Sequence, residues 1–126
     1  MRILTAKQIK AVEENAFETD STEAGLMLNA GTACFEKICK IFGECLVNSR
    51  VAVFCGNGKN AGDGFVIADL LNSINVNADI IICDKEPTVD EPKMYFDKAI
   101  ANGVKVVNFT DIGENSYDII VDCIFG

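Results

Sequence analysis

The chain contains no histidine and no tryptophan among its 126 residues. Without histidine, the Ser-His-Asp and Cys-His catalytic arrangements are excluded, because both use an imidazole as the base. Acid–base chemistry would then fall to carboxylates, lysines, tyrosines or bound water. The sequence also lacks a Cys-x-x-C pair, so the usual ligand patterns of a zinc site are not present.

Long hydrophobic runs are absent as well. No apolar stretch approaches the roughly 20 residues that span a bilayer, and the N-terminal segment lacks the apolar core of a signal peptide. The net charge of -8 argues against non-specific binding to nucleic acid or to an anionic membrane, since both need surplus cations. We therefore expect a soluble, cytoplasmic protein with no nucleic-acid partner and no membrane partner.

Six cysteines could in principle form three disulfides, but no signal peptide accompanies them. Three of them close or nearly close apolar, strand-like runs. We interpret the cysteines as small buried hydrophobic residues in a reducing compartment, with a redox role as the weaker alternative. The six are Cys34, Cys39, Cys45, Cys55, Cys83 and Cys123.

Strands and helices alternate from Val51 onward. The four predicted strands are continuous apolar runs, as burial on both faces of a parallel sheet requires. In sequence order they are VAVFC, ADIIIC, VKVVNF and YDIIVDCIF. This pattern predicts an α/β fold, namely a three-layer, Rossmann-like, doubly wound and mostly parallel sheet preceded by an N-terminal helical segment.

The N-terminal third shows helical spacing after a capping-box pattern that starts at Thr5, and a second helix is predicted to stop at Gly43. Gly25 and Gly31 inside that helix predict close packing against a neighbour.

No linker or repeat divides the chain, so we interpret residues 1–126 as a single domain. The sequence stops directly after the fourth predicted strand, where a doubly wound sheet would be half complete. We therefore expect the domain to be incomplete at its C-terminus.

The segment GNGKNAGDG, which follows the first predicted strand, is typical of a backbone that lies close to a ligand. It is not a Walker A loop, because its Gly-Lys pair is followed by asparagine and offers no hydroxyl for magnesium. A dinucleotide fingerprint, G-x-G-x-x-A, is met by Gly56, Gly58 and Ala61. Asp84, after the second strand, could then bond a ribose. This match is a weak signal, since glycine pairs after strands are common.

Two aspartates accompany this loop. Asp63 could cap the following helix, or it could face a ligand hydroxyl or a cation. In a sheet ordered 3-2-1-4 the first and fourth strands are neighbours, so Asp122 would lie beside the loop. A carboxylate in an apolar strand is costly unless it is paired or bound to a metal. With Asn60 and nearby carbonyls, Asp122 offers hard oxygen donors for potassium, sodium or magnesium, and a capping or loop-bonding role is the alternative.

These residues together resemble the NAD(P)H-hydrate epimerases, the YjeF N-terminal domain family. The loop is similar to the family's Gly-x-Gly-Asn-Asn-Gly-Gly-Asp-Gly, and three other stretches resemble the family in the same order: ILTAKQIKAVEENAF, MLNAG and IVDCIFG. The resemblance covers essentially the whole chain. It implies an isomerase that interconverts the R and S epimers of hydrated NADH or NADPH, as a repair of the nicotinamide cofactor. It also implies a fused or separate companion dehydratase that depends on ADP or ATP.

Carried over residue by residue, the resemblance implies that Asn60 and Asp122 bind a potassium ion. Two positions depart from the family pattern, since a lysine replaces an asparagine and an alanine replaces a glycine. The family's catalytic aspartate belongs to a later Asp-x-Pro-Ser-Gly stretch and would lie beyond Gly126. The implied substrate contacts are Lys59, Asn60, Ala61, Gly62 and Asp63.

Two other functions stay open. Relatives of this fold act as non-catalytic scaffolds, although the retained Asn60 and Asp63 argue against that role here. A conventional NAD-binding dehydrogenase domain is the other alternative, and it would bind intact NAD. A homodimer is a further expectation, because the exposed edges of an incomplete sheet favour pairing.

Overall fold

The computed structural model describes residues 2–4, 22–88, 90–113 and 116–124. These ranges contain three α-helices, two short 3-10 segments and five strands of one sheet. The helices are α1 (Glu23–Phe42), α2 (Lys59–Ser73) and α3 (Asp90–Ala101), and the 3-10 segments are Gly43–Asn48 and Phe109–Asp111. The strands are β1 (Arg2–Leu4), β2 (Arg50–Cys55), β3 (Asn77–Ile82), β4 (Lys105–Asn108) and β5 (Ile119–Cys123).

All five described strands run parallel, in the order β1-β5-β2-β3-β4. Strand β2 lies between β5 and β3, with Val51 opposite both Ile119 and Ala78. The order 3-2-1-4 that was predicted for the four apolar runs is therefore confirmed, and with it the Rossmann-like α/β class.

The sheet also has a strand that the sequence analysis missed. Residues Arg2–Leu4 form β1, which pairs with β5 from Arg2 opposite Ile119 to Leu4 opposite Val121. No strand was predicted ahead of the helix expected from Thr5, because three residues are too few to show the pattern of a strand. The helix predicted to start at Thr5 lies outside the described residues.

One face of the sheet is covered by all three described helices, whose apolar residues share a single core with the sheet. Phe65 of α2 is fully buried, and its ring lies 5.1 Å from that of Phe96 in α3. Ile38 of α1, Ile67 of α2 and Ile80 of β3 are also fully buried. Each such side chain contributes about 1.5–3 kcal/mol on burial. This packing fixes α2 on the sheet and so fixes where its first turn begins.

The opposite face carries a second, smaller apolar cluster. Ala52 and Ile81 are fully buried in it, and Tyr117 is almost so. Phe109 packs edge-on against Phe54, with ring centroids 6.0 Å apart. The central strands β2 and β3 are therefore buried on both faces over most of their length, as their continuous apolar runs predicted.

Helix α1 ends where the sequence predicts, and it packs closely against α2. The Thr22 side chain accepts the N–H of Gly25 at 3.0 Å, and the helix stops at Gly43, whose φ is 53°. The predicted stop is confirmed. A Cβ at Gly31 would lie 2.6 Å from the Cβ of Val66 in α2, which confirms the prediction of close packing for this glycine.

The longest described helix, α1, has 20 residues. Neither it nor another described helix has the combination of length and apolarity that crossing a membrane requires.

Candidate functional site

The loop between β2 and α2 leaves the sheet at the carboxyl end of its central strands. The N–H of Gly56 donates to the carbonyl of Cys123 at 3.3 Å, and a Cβ at Gly56 would lie 2.8 Å from the carbonyl oxygen of Ile124. Glycine is needed here because the chain that follows β5 approaches the loop so closely. This contact places the loop beside the end of β5 that contains Asp122, as the predicted strand order required.

Gly58 is glycine for a different reason. Its φ of 101° and ψ of -158° belong to a backbone region that is essentially restricted to glycine. No atom of the described residues lies within 4 Å of the position that a Cβ would take. Within the described part of the chain, the backbone of Gly58 therefore borders open space in front of α2, where the first N–H groups of a helix have no intrahelical acceptor. An anionic group of a ligand would be stabilised at this position.

The first turns of α2 contain the five residues predicted to contact substrate. Lys59 is exposed and Asn60 is half-buried. Ala61 is 2% exposed, and Gly62 lies against the thioether of Met27 in α1. Ala61 and Gly62 therefore pack toward the protein interior, and any contact of theirs with a ligand would come from the backbone. The fold places all five residues in one short helical segment, and their substrate contacts stay a prediction.

Asp63 is the one buried charged side chain among the described residues, with 4% of its surface exposed. It is the fifth residue of α2, and Gly58 occupies the N-cap position without a side-chain cap, so capping does not explain this aspartate. Burial raises the pKa of Cys34 to about 12, with a further contribution from the Asp63 charge. Burial also raises the pKa of Cys123 well above its ordinary value, and Asp63 adds to this effect. Asp63 therefore lies inside the fold, between α1 and the end of β5.

Asp122 lies opposite Phe54 in the register of β5 with β2, one residue before the end of β5. Its side chain is half-buried. The Oδ1 atom accepts the N–H of Ile124 at 3.0 Å, which tightens the chain as it leaves the strand. The loop-bonding role considered for Asp122 is therefore present, and it uses one of the two carboxylate oxygens.

Asn60 and Asp122 bring oxygen donors to the same end of the sheet, from the helix after β2 and from the neighbouring strand. No group of three or more His, Cys, Asp or Glu side chains suited to a metal forms within the described parts of the chain. One carboxylate, one amide and the backbone carbonyls are hard donors with a low total charge. Their chemistry fits a monovalent cation such as potassium.

All six cysteines are unpaired thiols. Burial raises the pKa of Cys55 and of Cys123 well above the ordinary thiol value, so both stay protonated at neutral pH and are poor nucleophiles. The interpretation of the cysteines as buried hydrophobic residues is confirmed for these two and for Cys34. It is wrong for Cys45, which is exposed on a 3-10 segment, although the adjacent Leu46 is buried.

One buried polar group of α1 had no individual signal in the sequence. The Nδ2 atom of Asn29 in α1 is buried and has no hydrogen-bond acceptor among the described residues. An amide left in this state costs about 1–3 kcal/mol. Asn29 lies on the same helix as Met27, which contacts α2 at Gly62. The MLNAG resemblance pointed to this stretch, but only the tertiary structure shows that the amide is buried.

The parallel sheet, with the glycine loop at its carboxyl end and Asp63 and Asp122 beside that loop, defines a Rossmann-like α/β protein. Ligands of such folds bind where the strand order reverses, which is the position of this loop. The family described as "YjeF-related protein N-terminus" matches residues 23–126. The chain therefore belongs to this family, which confirms the resemblance found in its loop.

Curated relatives carry the names of nicotinamide repair enzymes. The chain is 34% identical over 87 residues to the bifunctional NAD(P)H-hydrate repair enzyme Nnr of Methanocaldococcus jannaschii, an alignment that covers 69% of this chain and 16% of that protein. It is 41% identical over 71 residues to the NAD(P)H-hydrate epimerase of Roseobacter litoralis, covering 55% of this chain and 31% of that one. With the NAD(P)H-hydrate epimerase of Entamoeba histolytica it shares 29% identity over 127 residues, covering 100% and 56%. The chain thus spans between 16% and 56% of the length of these three relatives.

The fold is also similar to that of a yeast protein of known crystal structure. The TM-score is 0.71 at 23% identity, and the match covers 100% of this chain and 57% of the yeast chain. At this level of identity the likeness supports the fold alone.

Proposed function

We propose that this chain supplies the glycine-loop part of an NAD(P)H-hydrate epimerase site, at which the R and S forms of hydrated NADH and NADPH are interconverted. The observation that carries the proposal is the position of the family's loop, with Asn60 and Asp63, against the end of the strand that contains Asp122. Membership of the family, and relatives named as epimerases, support the reaction class.

The charges around the loop favour a cation next to the substrate. A hydrated dinucleotide brings a pyrophosphate to a region that already contains Asp63 and Asp122, in a chain with a net charge of -8. Like charges a few Å apart repel strongly away from bulk water. Lys59 offsets this repulsion only in part, because it is exposed and therefore screened. A potassium ion held by Asn60 and Asp122 would add positive charge beside the pyrophosphate.

The chain's own residues then bind and orient the substrate. The backbone N–H groups at the start of α2, beside the open space at Gly58, hold phosphate oxygens. Asp63 is held in place by the packing of α2 against α1, and with its flanking glycines it positions the rest of the substrate. By the family resemblance, the catalytic aspartate lies outside residues 1–126.

The relatives also suggest the next reaction. Several of them are named as bifunctional repair enzymes. We propose that the S form produced at this site is consumed by a dehydratase that depends on ADP or ATP, either fused to this chain or separate. A cytoplasmic location and a homodimer stay predictions from the sequence.

Thermal unfolding in potassium chloride and in choline chloride at equal ionic strength tests the cation site. We expect potassium to raise the Tm of the unmodified chain and to leave the Tm of Asp122→Asn unchanged, since asparagine keeps the bond to Ile124 but loses the charge. Asp84→Asn is the matched control, because Asp84 is an exposed acid just after the neighbouring strand β3. It should keep the full response to potassium, and loss of the response in this control would contradict the assignment.

Chromatographic separation of the R and S epimers over time tests the reaction in a chain that also contains the remaining part of the family's domain. We expect Asp122→Asn to lower the potassium-dependent rate by about tenfold or more. An unchanged rate would exclude Asp122 from the site. Binding of intact NAD without binding of the hydrate would instead favour a conventional dehydrogenase domain.

A further inference from the structure

The chain contains two Asn-Gly dipeptides, Asn57-Gly58 in the loop before α2 and Asn102-Gly103 after α3. We propose that Asn57 is a site of spontaneous deamidation and that the fold protects Asn102 from the same reaction. The modification itself does not depend on the epimerase proposal, because it requires only the local backbone and water.

The reaction at an Asn-Gly dipeptide is an internal displacement. The backbone nitrogen of the glycine loses its proton and attacks Cγ of the asparagine side chain. A nitrogen–carbon bond forms, the side-chain amide leaves as ammonia, and a five-membered succinimide results. Water then opens this ring at either carbonyl, which produces aspartate or isoaspartate. Glycine favours the attack because it has no Cβ to hinder its nitrogen.

The surroundings of Asn57 leave both reacting groups accessible. Its side chain is exposed. The N–H of Gly58 has no acceptor among the described residues, and none of their atoms lies within 4 Å of the position that a Gly58 Cβ would take. The nitrogen and the side-chain carbonyl can therefore approach each other without breaking a hydrogen bond of the fold.

The surroundings of Asn102 hold the same groups in place. The N–H of Gly103 donates to the carbonyl of Ile100 at 3.0 Å. The Nδ2 atom of Asn102 donates to Oδ1 of Asp69 at 2.9 Å, and the Asn102 carbonyl accepts Nδ2 of Asn72 at 3.0 Å. Attack would require these bonds between α2 and the end of α3 to open first, so the reaction here is limited by local unfolding.

Deamidation at Asn57 would change the electrostatics of the loop. Aspartate adds one negative charge two residues before the first residue of α2, where an anion would otherwise be stabilised. Isoaspartate also inserts an extra methylene into the loop backbone. If the loop holds a pyrophosphate, as the proposed function states, both products weaken that binding. The chain would lose its ligand site with age.

Peptide mapping by mass spectrometry tests the proposal on the whole chain incubated at mildly alkaline pH, folded and in urea. In urea we expect both dipeptides to deamidate at comparable rates. In the folded chain we expect the Asn57 peptide to react at least about tenfold faster than the Asn102 peptide, because only the second is protected by structure. Equal rates in the folded chain, or an Asn57 that stays intact while both sites react in urea, would overturn the proposal.

Two variants and one product analysis complete the test. Asn57→Gln should abolish the signal from the loop, since glutamine would have to close a larger and slower ring, whereas Asn102→Gln should leave that signal unchanged. Isoaspartate, detected by an isoaspartyl methyltransferase, should appear in the Asn57 peptide; aspartate alone would contradict the succinimide route. The potassium response of fresh Asn57→Gln reports on the proposed function separately, so failure of one proposal is distinguishable from failure of the other.

Discussion

The two ends of the sheet use their polar groups in opposite ways. At the amino end the groups bind one another. The Tyr117 hydroxyl donates to Oδ2 of Asp79 at 2.7 Å, and the Arg50 guanidinium lies 3.9 Å from the same oxygen and 5.0 Å from the centre of the Tyr117 ring. The N–H of Arg50 donates to the Asp118 carboxylate at 2.9 Å, and the N–H of Asp118 donates to the Arg50 carbonyl at 2.9 Å.

At the carboxyl end the polar groups surround an open stretch of backbone. One oxygen of Asp122 accepts the N–H of Ile124, and no described atom lies within 4 Å of the position that a Cβ of Gly58 would take. The difference separates two kinds of polar cluster. A set of side chains that satisfy one another stabilises the fold, whereas polar groups beside an exposed glycine backbone suit a ligand, as the proposed function requires.

The largest loss of stability is expected directly behind the open loop. A Cβ at Gly64 would lie 2.7 Å from Sγ of Cys55 and 3.1 Å from Cβ of Cys123, and both cysteines are fully buried on central strands. We expect Gly64→Ala to lower the free energy of unfolding by about 3 kcal/mol, the upper part of the usual range for overpacking. Urea denaturation measures this loss.

Gly62→Ala is the matched variant on the same helix. Its new methyl would meet the flexible end of Met27, which can move aside, so we expect a smaller loss of about 1 kcal/mol. Equal losses in the two variants would show that the packing behind the loop is not the rigid support inferred from the fold.

A smaller effect is expected at the amino end. Tyr117→Phe removes the hydrogen bond to Asp79 but keeps the ring beneath Arg50, so we expect a loss of about 1 kcal/mol in urea denaturation. The rise in Tm caused by potassium should be unchanged in this variant. A weakened potassium response would mean that the two ends of the sheet are coupled. It would contradict the separation of a stabilising cluster at the amino end from a cation site at the carboxyl end.

The smallest effect appears only at alkaline pH. Burial, followed by the hydrogen bond to Asp79 and its charge, raises the pKa of Tyr117 to about 12 from an ordinary value of 10.0, and Arg50 opposes this shift. Between these two values the unfolded chain loses a proton that the folded chain keeps, so the stability falls as the pH rises through this window. Urea denaturation at several pH values should show this decline in the unmodified chain. Tyr117→Phe should decline less, and identical slopes would contradict the assignment of the effect to this residue.

Much of the sheet could be predicted because its strands are buried on both faces. Continuous apolar runs such as VAVFC mark parallel strands without reference to their partners, and the topology of such sheets is restricted by right-handed crossovers. The position of Asp122 beside the loop followed from that order. Strand β1 could not be predicted in the same way, since three residues at the edge of a sheet are held by pairing with β5 rather than by their own pattern.

The candidate site likewise has features that could be predicted from the sequence and features that could not. The glycine loop was recognisable because its residues are consecutive, and the chemistry of Asn60 and Asp63 could be read with it. The burial of Asp63 could not, because α1 and the end of β5 create it together. The exposure of Cys45 could not be predicted either, since it depends on where the 3-10 segment after α1 lies on the surface.

The sequence by itself determined the α/β class, the strand order, the family and the position of the loop, because each depends on local composition or on a short motif. Only the tertiary structure decided which polar groups bond to one another across the sheet. The partners at the amino end, Arg50 and Asp79 with Tyr117, are far apart in the chain, and their contacts exist only once β2, β3 and β5 are paired. Burial and hydrogen bonding are properties of such long-range contacts, and no local pattern encodes them.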